Sequence, residues 1–273
     1  MLGTFEKARA VLDLYTTEHP EWGVTEVART LGMPTSSTHV LMASLTQMGL
    51  LHRTVAGRYR LGFKLLALSQ VLLSNTPWRE VAEEEMAALF ARYGETLSLV
   101  AFDGGQIVTV AKFDGRRPGS LRMPNVGSVL PTYQGASGRL LLAHRPWPVV
   151  RHVLNDPRVS GLSAGGVPEA LRTLEQVLRE GAATYEDAGA WSVAAPVRNH
   201  NGEVIAALGF SVPLERGPEQ RLALLQAVLT TGARISGRIG HVPGLPDDDR
   251  MVWMSVGGQE RLRTAPRRGR RQG

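Results

Sequence analysis

Glu26-Val27-Ala28-Arg29-Thr30-Leu31-Gly32-Met33-Pro34-Thr35-Ser36-Ser37-Thr38-His39 is the stretch from which the amino-terminal part of the chain can be read. From Val24 to Leu31, the apolar residues Val27, Ala28 and Leu31 share one helical face. Gly32 then stops the helix in the left-handed conformation that only glycine adopts without cost. Met33-Pro34 makes the turn. A further helix is expected over 35–48, capped by the hydroxyl of Thr35 or Ser36, with Leu41, Leu45 and Met48 on its buried face. Upstream, Phe5, Ala8, Val11, Leu12 and Tyr15 recur at helical spacing over 4–15, and His19 to Gly23 interrupts the pattern. Downstream, 50–53 and 58–61 read as two strands about Ala56-Gly57. Three helices with a tight turn before the last, followed by a hairpin, describe a winged helix-turn-helix. A helical interaction module would use the same elements. The hydroxyl-rich start of the last helix and the basic hairpin favour the DNA reader.

Residues 62–76 form an expected linker helix that is apolar nearly all round (Phe63, Leu65, Leu66, Leu68, Val71, Leu72, Leu73), so it needs cover, and a second copy of the chain is the expected cover. Pro77 opens a helix to Tyr93 with Val81, Met86, Leu89 and Phe90 spaced for burial. Strands are expected at 96–102 and 106–113 around Asp103-Gly104-Gly105, at 121–123, and at 190–196 and 204–211 around Asn201-Gly202; helices are expected at 136–144, 149–154, 168–180 and 219–239. Antiparallel hairpins flanked by helices indicate an α+β sensor-like sheet rather than a doubly wound nucleotide fold. The expected division is 1–61 for the winged helix-turn-helix, 62–76 for the linker and dimerisation helix, 77–242 for the second domain and 243–273 for a disordered basic tail.

The formal charge is +6, and it is unevenly distributed. Seven basic residues face five acidic ones over 1–76, eighteen face nineteen over 77–257, and six arginines face one glutamate over 258–273. The Arg-rich terminal run reads as a solvated tail able to add sequence-independent attraction to phosphates. With no cysteine, the chain has no disulfide, thiolate metal site or thiol nucleophile. No apolar run approaches the ~20 residues of a membrane helix, and the first residues lack a secretory pattern, so a cytoplasmic protein with no membrane partner is expected. No cofactor or metal is expected. Gly135-Ala136-Ser137-Gly138 lacks the G-x-S-x-G spacing of a nucleophile elbow, the seven histidines show no paired metal spacing, and no phosphate-binding glycine pattern is present. Catalysis is not expected.

Several stretches, in their order and spacing, resemble the IclR family of bacterial transcription regulators from Phe5 to Gly240. They are 26–28 with 31–34, 36–39 and 57–62 (Gly-Arg-Tyr-Arg-Leu-Gly) in the first domain, and 126–131 (Val-Gly-Ser-Val-Leu-Pro), 138–143 and 194–197 in the second. The resemblance implies a winged helix-turn-helix on double-stranded operator DNA, a dimerisation linker, a homodimer or homotetramer, and a GAF-like carboxy-terminal domain for a small-molecule effector, commonly an organic acid or aromatic.

A helix entering the major groove presents its first residues to base edges while nearby donors hold phosphates. Thr35, Ser36, Ser37 and Thr38 supply short donors, His39 and Gln47 reach further, and Arg53, Arg58 and Arg60 flank the wing. Many relatives carry a Lys or Arg where this chain has Thr35, and an Arg where it has Val40; fewer phosphate contacts imply weaker binding per subunit. For the effector, residue-wise matching implies Leu130, the backbone amides of Ala136 and Ser137, an acidic group at Glu186 or Asp187, Ser192, Gly209 in place of a common serine, and Ser211. Gly209, a shortened 181–189 segment and Trp191 favour a ligand larger or more apolar than a small oxoacid. Val126, Leu130 and Leu140 fit either a pocket or an ordinary core, and a packed sheet without ligand is the plain alternative. The competing functional reading is an effector-independent, global or architectural DNA-binding protein whose second domain serves only assembly.

Overall fold

The structure, a computed structural model, describes residues 2–156, 165–187 and 189–243. The expected tail from 244 onward and part of the loop before residue 165 lie outside the described residues. The chain divides into two compact units, 1–77 and 78–273.

In the first unit, α1 (Leu2–Leu12), β1 (Glu21–Trp22), α2 (Val24–Leu31), α3 (Thr35–Gln47), β2 (Leu51–Arg53), β3 (Tyr59–Leu61) and α4 (Lys64–Ser74) follow in order. Gly32 closes α2 at φ 63°, as its position demanded. Val11, Val27, Met42, Leu45, Leu51 and Tyr59 make the core under α1, α2, α3 and the wing. On α3 the buried residue is Met42, whereas Met48 is 63% exposed, because the inward stripe runs through Thr38, Met42 and Leu45. Phe5 likewise faces outward. The wing is a three-stranded antiparallel sheet in the order β1-β3-β2: Glu21 and Trp22 pair with Arg60 and Tyr59 where only an interruption was expected. Two residues are too few to show strand periodicity.

The second unit contains α5 (Pro77–Tyr93), β4 (Thr96–Asp103), β5 (Gln106–Phe113), β6 (Val129–Leu130), α6 (Ala136–Ala143), α7 (Trp147–Asn155), α8 (Gly166–Glu180), β7 (Ala183–Glu186), β8 (Ala190–Arg198), β9 (Val204–Pro213) and α9 (Pro218–Arg238). Its antiparallel sheet has the order β6-β5-β4-β9-β8-β7. Strand alternation sends Leu97, Leu99, Val193, Ala195, Leu208 and Phe210 to the face covered by α5 and α9. Val100, Ala194 and Ala207 go to the face covered by α6, α7 and α8, with Leu140 and Leu174 among the helix residues packed there.

Residues 121–123 are not the third strand. They run as an unladdered wall before Pro124, and the strand beside β5 is β6, pairing Leu130 with Ile107. Carbonyls that a ladder would have used accept from side chains instead: Leu121 from the Thr96 hydroxyl, and Met123 from Lys112 at 3.1 Å.

Candidate functional site: a DNA-facing helix and a sheet-floored cavity

At the start of α3, Thr35, Ser36, Ser37 and His39 are exposed, and Gln47 is exposed at its far end. Thr38 is not available: it is 0% exposed, and its Oγ1 donates to the Pro34 carbonyl at 3.0 Å. The expected hydroxyl cap is also absent, because the cap position is Pro34, which lacks a side-chain acceptor. Thr35 and Ser36 therefore stand in the first helical turn with their hydroxyls uncommitted to capping.

The three wing arginines separate. Arg58 is turned inward on α2: Nη1 and Nη2 donate to the Glu26 carboxylate at 3.1 and 2.7 Å, and Nη2 also donates to the Glu21 carbonyl at 2.9 Å. The same Glu26 carboxylate accepts from Gly23 N–H at 2.9 Å at the start of α2. Arg58 is thus a strut tying the wing to the helix-turn-helix, not the phosphate contact its charge suggested. Hydrogen bonding from Arg58, followed by that from Gly23, lowers the Glu26 pKa from its ordinary 4.5. Arg53 is exposed near the Tyr59 ring (5.9 Å) and has no carboxylate partner among the described residues. Arg60 is half-buried and stacks over Phe63 at 5.4 Å. Expected strand alternation placed Arg58 and Arg60 on one face, but β3 begins only at Tyr59.

In the second unit a cavity of about 500 Å³ opens between the sheet, the first turn of α6 and the wall at 121–124. Seven of the eight residues named for an effector line it: Leu130, Ala136, Ser137, Asp187, Ser192, Gly209 and Ser211. Glu186 does not. Alternation on β7 turns it away from Tyr185, and its carboxylate accepts from Arg221 at 3.0 Å. Trp191 is also misplaced by the sequence reading: it is buried on the opposite face of the sheet. Val126 is exposed and Leu140 belongs to the core, so of those three only Leu130 reaches the cavity.

The floor draws on two cross-strand rows: Tyr185, Ser192 and Ser211 from one, which continues to the buried Thr96, and Gly209 and Ser98 from the other, which continues to the core residue Ala194. At α6, the amide of Ala136 is already engaged by Ser192 Oγ at 3.3 Å, while Ser192 Oγ donates to the Tyr185 carbonyl at 3.4 Å. That leaves the N–H groups of Ser137 and Gly138, which a helix start provides without intrahelical acceptors. The wall at 121–124 is pinned by Thr96, by Lys112 and by Ser211 Oγ on Met123 Sδ at 3.7 Å. Behind it, the fully buried Glu95 carboxylate accepts from Arg216 at 2.8 Å, Gln220 at 3.2 Å, Arg117 at 3.3 Å and Ser120 at 3.5 Å, fixing the loop that delivers the wall.

Sequence reasoning missed Ser98, Tyr185, Arg122 and Met123, which also line the cavity. Ser98 had a signal: a lone hydroxyl between Leu97 and Leu99 in an apolar strand. Arg122 and Met123 had none, since a strand was expected there.

A winged helix-turn-helix unit joined to an α+β unit with a sheet-floored cavity defines a class of DNA-binding transcription regulators. The chain belongs to the IclR family. Residues 70–237 match the family model described as "Bacterial transcriptional regulator IclR C-terminal", and residues 4–54 match "IclR helix-turn-helix domain". Among curated proteins, it is 31% identical to the glycerol operon regulatory protein of Streptomyces griseus over 87% of this chain and 96% of that one. It is 30% identical to the transcriptional regulator KdgR of Escherichia coli over 82% and 88%. Among solved structures, a putative IclR regulator from Silicibacter sp. superposes with a TM-score of 0.74 at 26% identity, over 89% of this chain and 100% of that one. An IclR homolog from Microbacterium hydrocarbonoxydans, complexed with 4-hydroxybenzoate, gives 0.72 at 24% identity over 86% and 98%. The protein is a DNA-binding transcription regulator and not an enzyme.

Proposed function

We propose that this regulator binds its operator as a homodimer or homotetramer in the cytoplasm, and that a small organic acid held in the cavity of the second unit modulates the binding. On the DNA side, Thr35, Ser36, Ser37, His39 and Gln47 read or position on the major groove, and Arg53 and Arg60 contact phosphates from the wing. The observation that carries the effector reading is the cavity itself. At about 500 Å³ it lies within the size range of small-molecule sites, and it gathers the Ser137 hydroxyl, free helix-start N–H groups and apolar walls at Ile107, Leu130 and Met123. The 4-hydroxybenzoate bound by the Microbacterium homolog supports an aromatic or aliphatic acid as the ligand class.

Modulation requires the acid to bind the DNA-competent and DNA-incompetent states with different affinities. The experiment is to select duplexes from a randomised pool with the full-length protein, then titrate the complex with 4-hydroxybenzoate and with straight-chain monocarboxylates. The expected result is a change in operator affinity with at least one acid. Unchanged affinity across the series would refute the proposal.

A further inference from the structure

From Thr35 to Gln47, α3 carries no lysine, arginine or carboxylate. Its inward stripe is Thr38, Met42 and Leu45. At about 100° per residue, position 40 lies almost diametrically opposite that stripe. The residue there is Val40, 65% exposed. Ser36, Ser37, Ser44 and Gln47 surround it on the same outer face and are all exposed. Ser44 Oγ donates to the Val40 carbonyl at 2.9 Å, whereas the side chains of Ser36, Ser37 and Gln47 make no hydrogen bond among the described residues. The outer face of the helix is therefore apolar at its centre, with free polar groups at either end.

A recognition helix enters the major groove with the face that points away from its own core, so Val40 meets the floor of the groove. Most of that floor is hydrogen-bond donors and acceptors, and an isopropyl group pressed on them removes water without replacing its hydrogen bonds. The apolar group on the floor is the C5-methyl of thymine. The commonest base contact, a bidentate arginine or lysine on guanine, is unavailable from a helix that carries neither.

We infer that Val40 is a specificity-determining residue: it reads the C5-methyl of a thymine in each operator half-site, with Ser36, Ser37 and Gln47 supplying the polar contacts around it. This rests on the reading of α3 as the helix that enters the major groove.

The test uses the duplex that the full-length protein selects from a randomised pool. Each thymine in turn is replaced by deoxyuridine, which deletes the methyl and keeps every hydrogen-bonding group of the base. Affinities are measured for wild type, Val40→Ala and Gln47→Ala. Wild type is expected to lose about fourfold at one thymine in each half-site, the worth of one buried methyl group. In Val40→Ala, whose side chain is too short to reach, that ratio should fall below about twofold. Gln47→Ala should bind both duplexes more weakly and keep the ratio. The melting temperature of Val40→Ala should match wild type, separating a base contact from a packing role. No thymine with such a ratio, or a ratio unchanged in Val40→Ala, would overturn the assignment of Val40 and leave operator binding standing. A Val40→Ala chain that sediments as a smaller species without DNA would put a second copy of the chain on this residue and overturn it as well. Enrichment of no sequence at all would overturn the reading of α3 and the inference together.

Discussion

Arg58 and Arg53 carry the same charge on the same hairpin, and the fold gives them opposite duties. Arg53 is exposed and unpaired by any carboxylate among the described residues, whereas Arg58 spends its donors on Glu26 and the Glu21 carbonyl. Arg53→Met should therefore reduce the slope of log affinity against log salt by about 0.9, one phosphate contact's worth. Arg58→Met should lower affinity by loosening the wing while leaving that slope unchanged, and Glu26→Gln should mimic it; filter binding at several salt concentrations distinguishes the two. The depressed pKa of Glu26 also sets a pH sign: the stability it contributes is present above the unfolded carboxylate value and is lost as pH falls through the lower folded value. Glu26→Gln should flatten the acid limb of unfolding curves. At the alkaline end, burial raises the Tyr15 hydroxyl to about 12, and that oxygen has no hydrogen-bond partner. Its contribution is fully present below pH 10 and fades as pH rises toward 12, so Tyr15→Phe should hold its melting temperature over that window where wild type declines. The charges of Arg53 and Arg58 were visible in the sequence. The partner that ties Arg58 to the start of α2 was not, because Glu26 lies 32 residues away and meets it only in three dimensions.

Elements with a strong local signal were legible from end to end. Gly32, with its left-handed turn, closes α2 where expected, and the Asp103-Gly104-Gly105 turn delivers β4 and β5. Those missed are the ones that local pattern cannot carry: β1 and β6 with two residues each, β7 with four, and the wall at 121–123, whose alternation resembles a strand but whose carbonyls are claimed by Thr96 and Lys112. The cavity residues Ser192, Gly209 and Ser211 were legible only through the family resemblance; strand alternation puts Gly209 and Ser211 on one face of β9, and the register that brings Ser192 opposite Ser211 is seen only in the folded sheet. Ser98 joins them in the same way from the adjacent strand. The wall depends on the buried Glu95 cluster, and removing one partner of such a cluster leaves uncompensated charge at a cost of about 3–5 kcal/mol. Glu95→Ala should accordingly lower the stability of the second unit by that amount in urea unfolding and weaken binding of any cavity ligand. On α4, Leu66, Leu68, Val71 and Leu72 are exposed, and no side chain of the helix is buried. Covering an aliphatic side chain of this size is worth about 1.5–3 kcal/mol, so a second copy of the helix offers a substantial gain. A Leu66→Asp, Leu72→Asp variant should sediment as a smaller species than wild type and lose operator binding in parallel.

At the scale of the whole molecule, the regulator and the architectural reading differ in what couples to what. If an acid in the cavity changes operator affinity by some factor, linkage requires saturating operator to change acid affinity by the same factor. An assembly-only second unit gives a factor of one in both directions. The Arg-rich run at 258–273 supplies a second discriminant, since its excess of cations acts on phosphates whatever the sequence. Deleting 246–273 should weaken binding to selected and random duplexes by a similar factor and reduce the salt slope for both. The ratio between the two duplexes, set by base contacts from α3, should survive, and so should the response to acid. Should the deletion instead abolish nearly all DNA affinity while the acid leaves what remains unchanged, the tail would be the binding element and the winged unit a passenger. Fluorescence anisotropy on both duplexes, with and without saturating acid, measures all four affinities in one series.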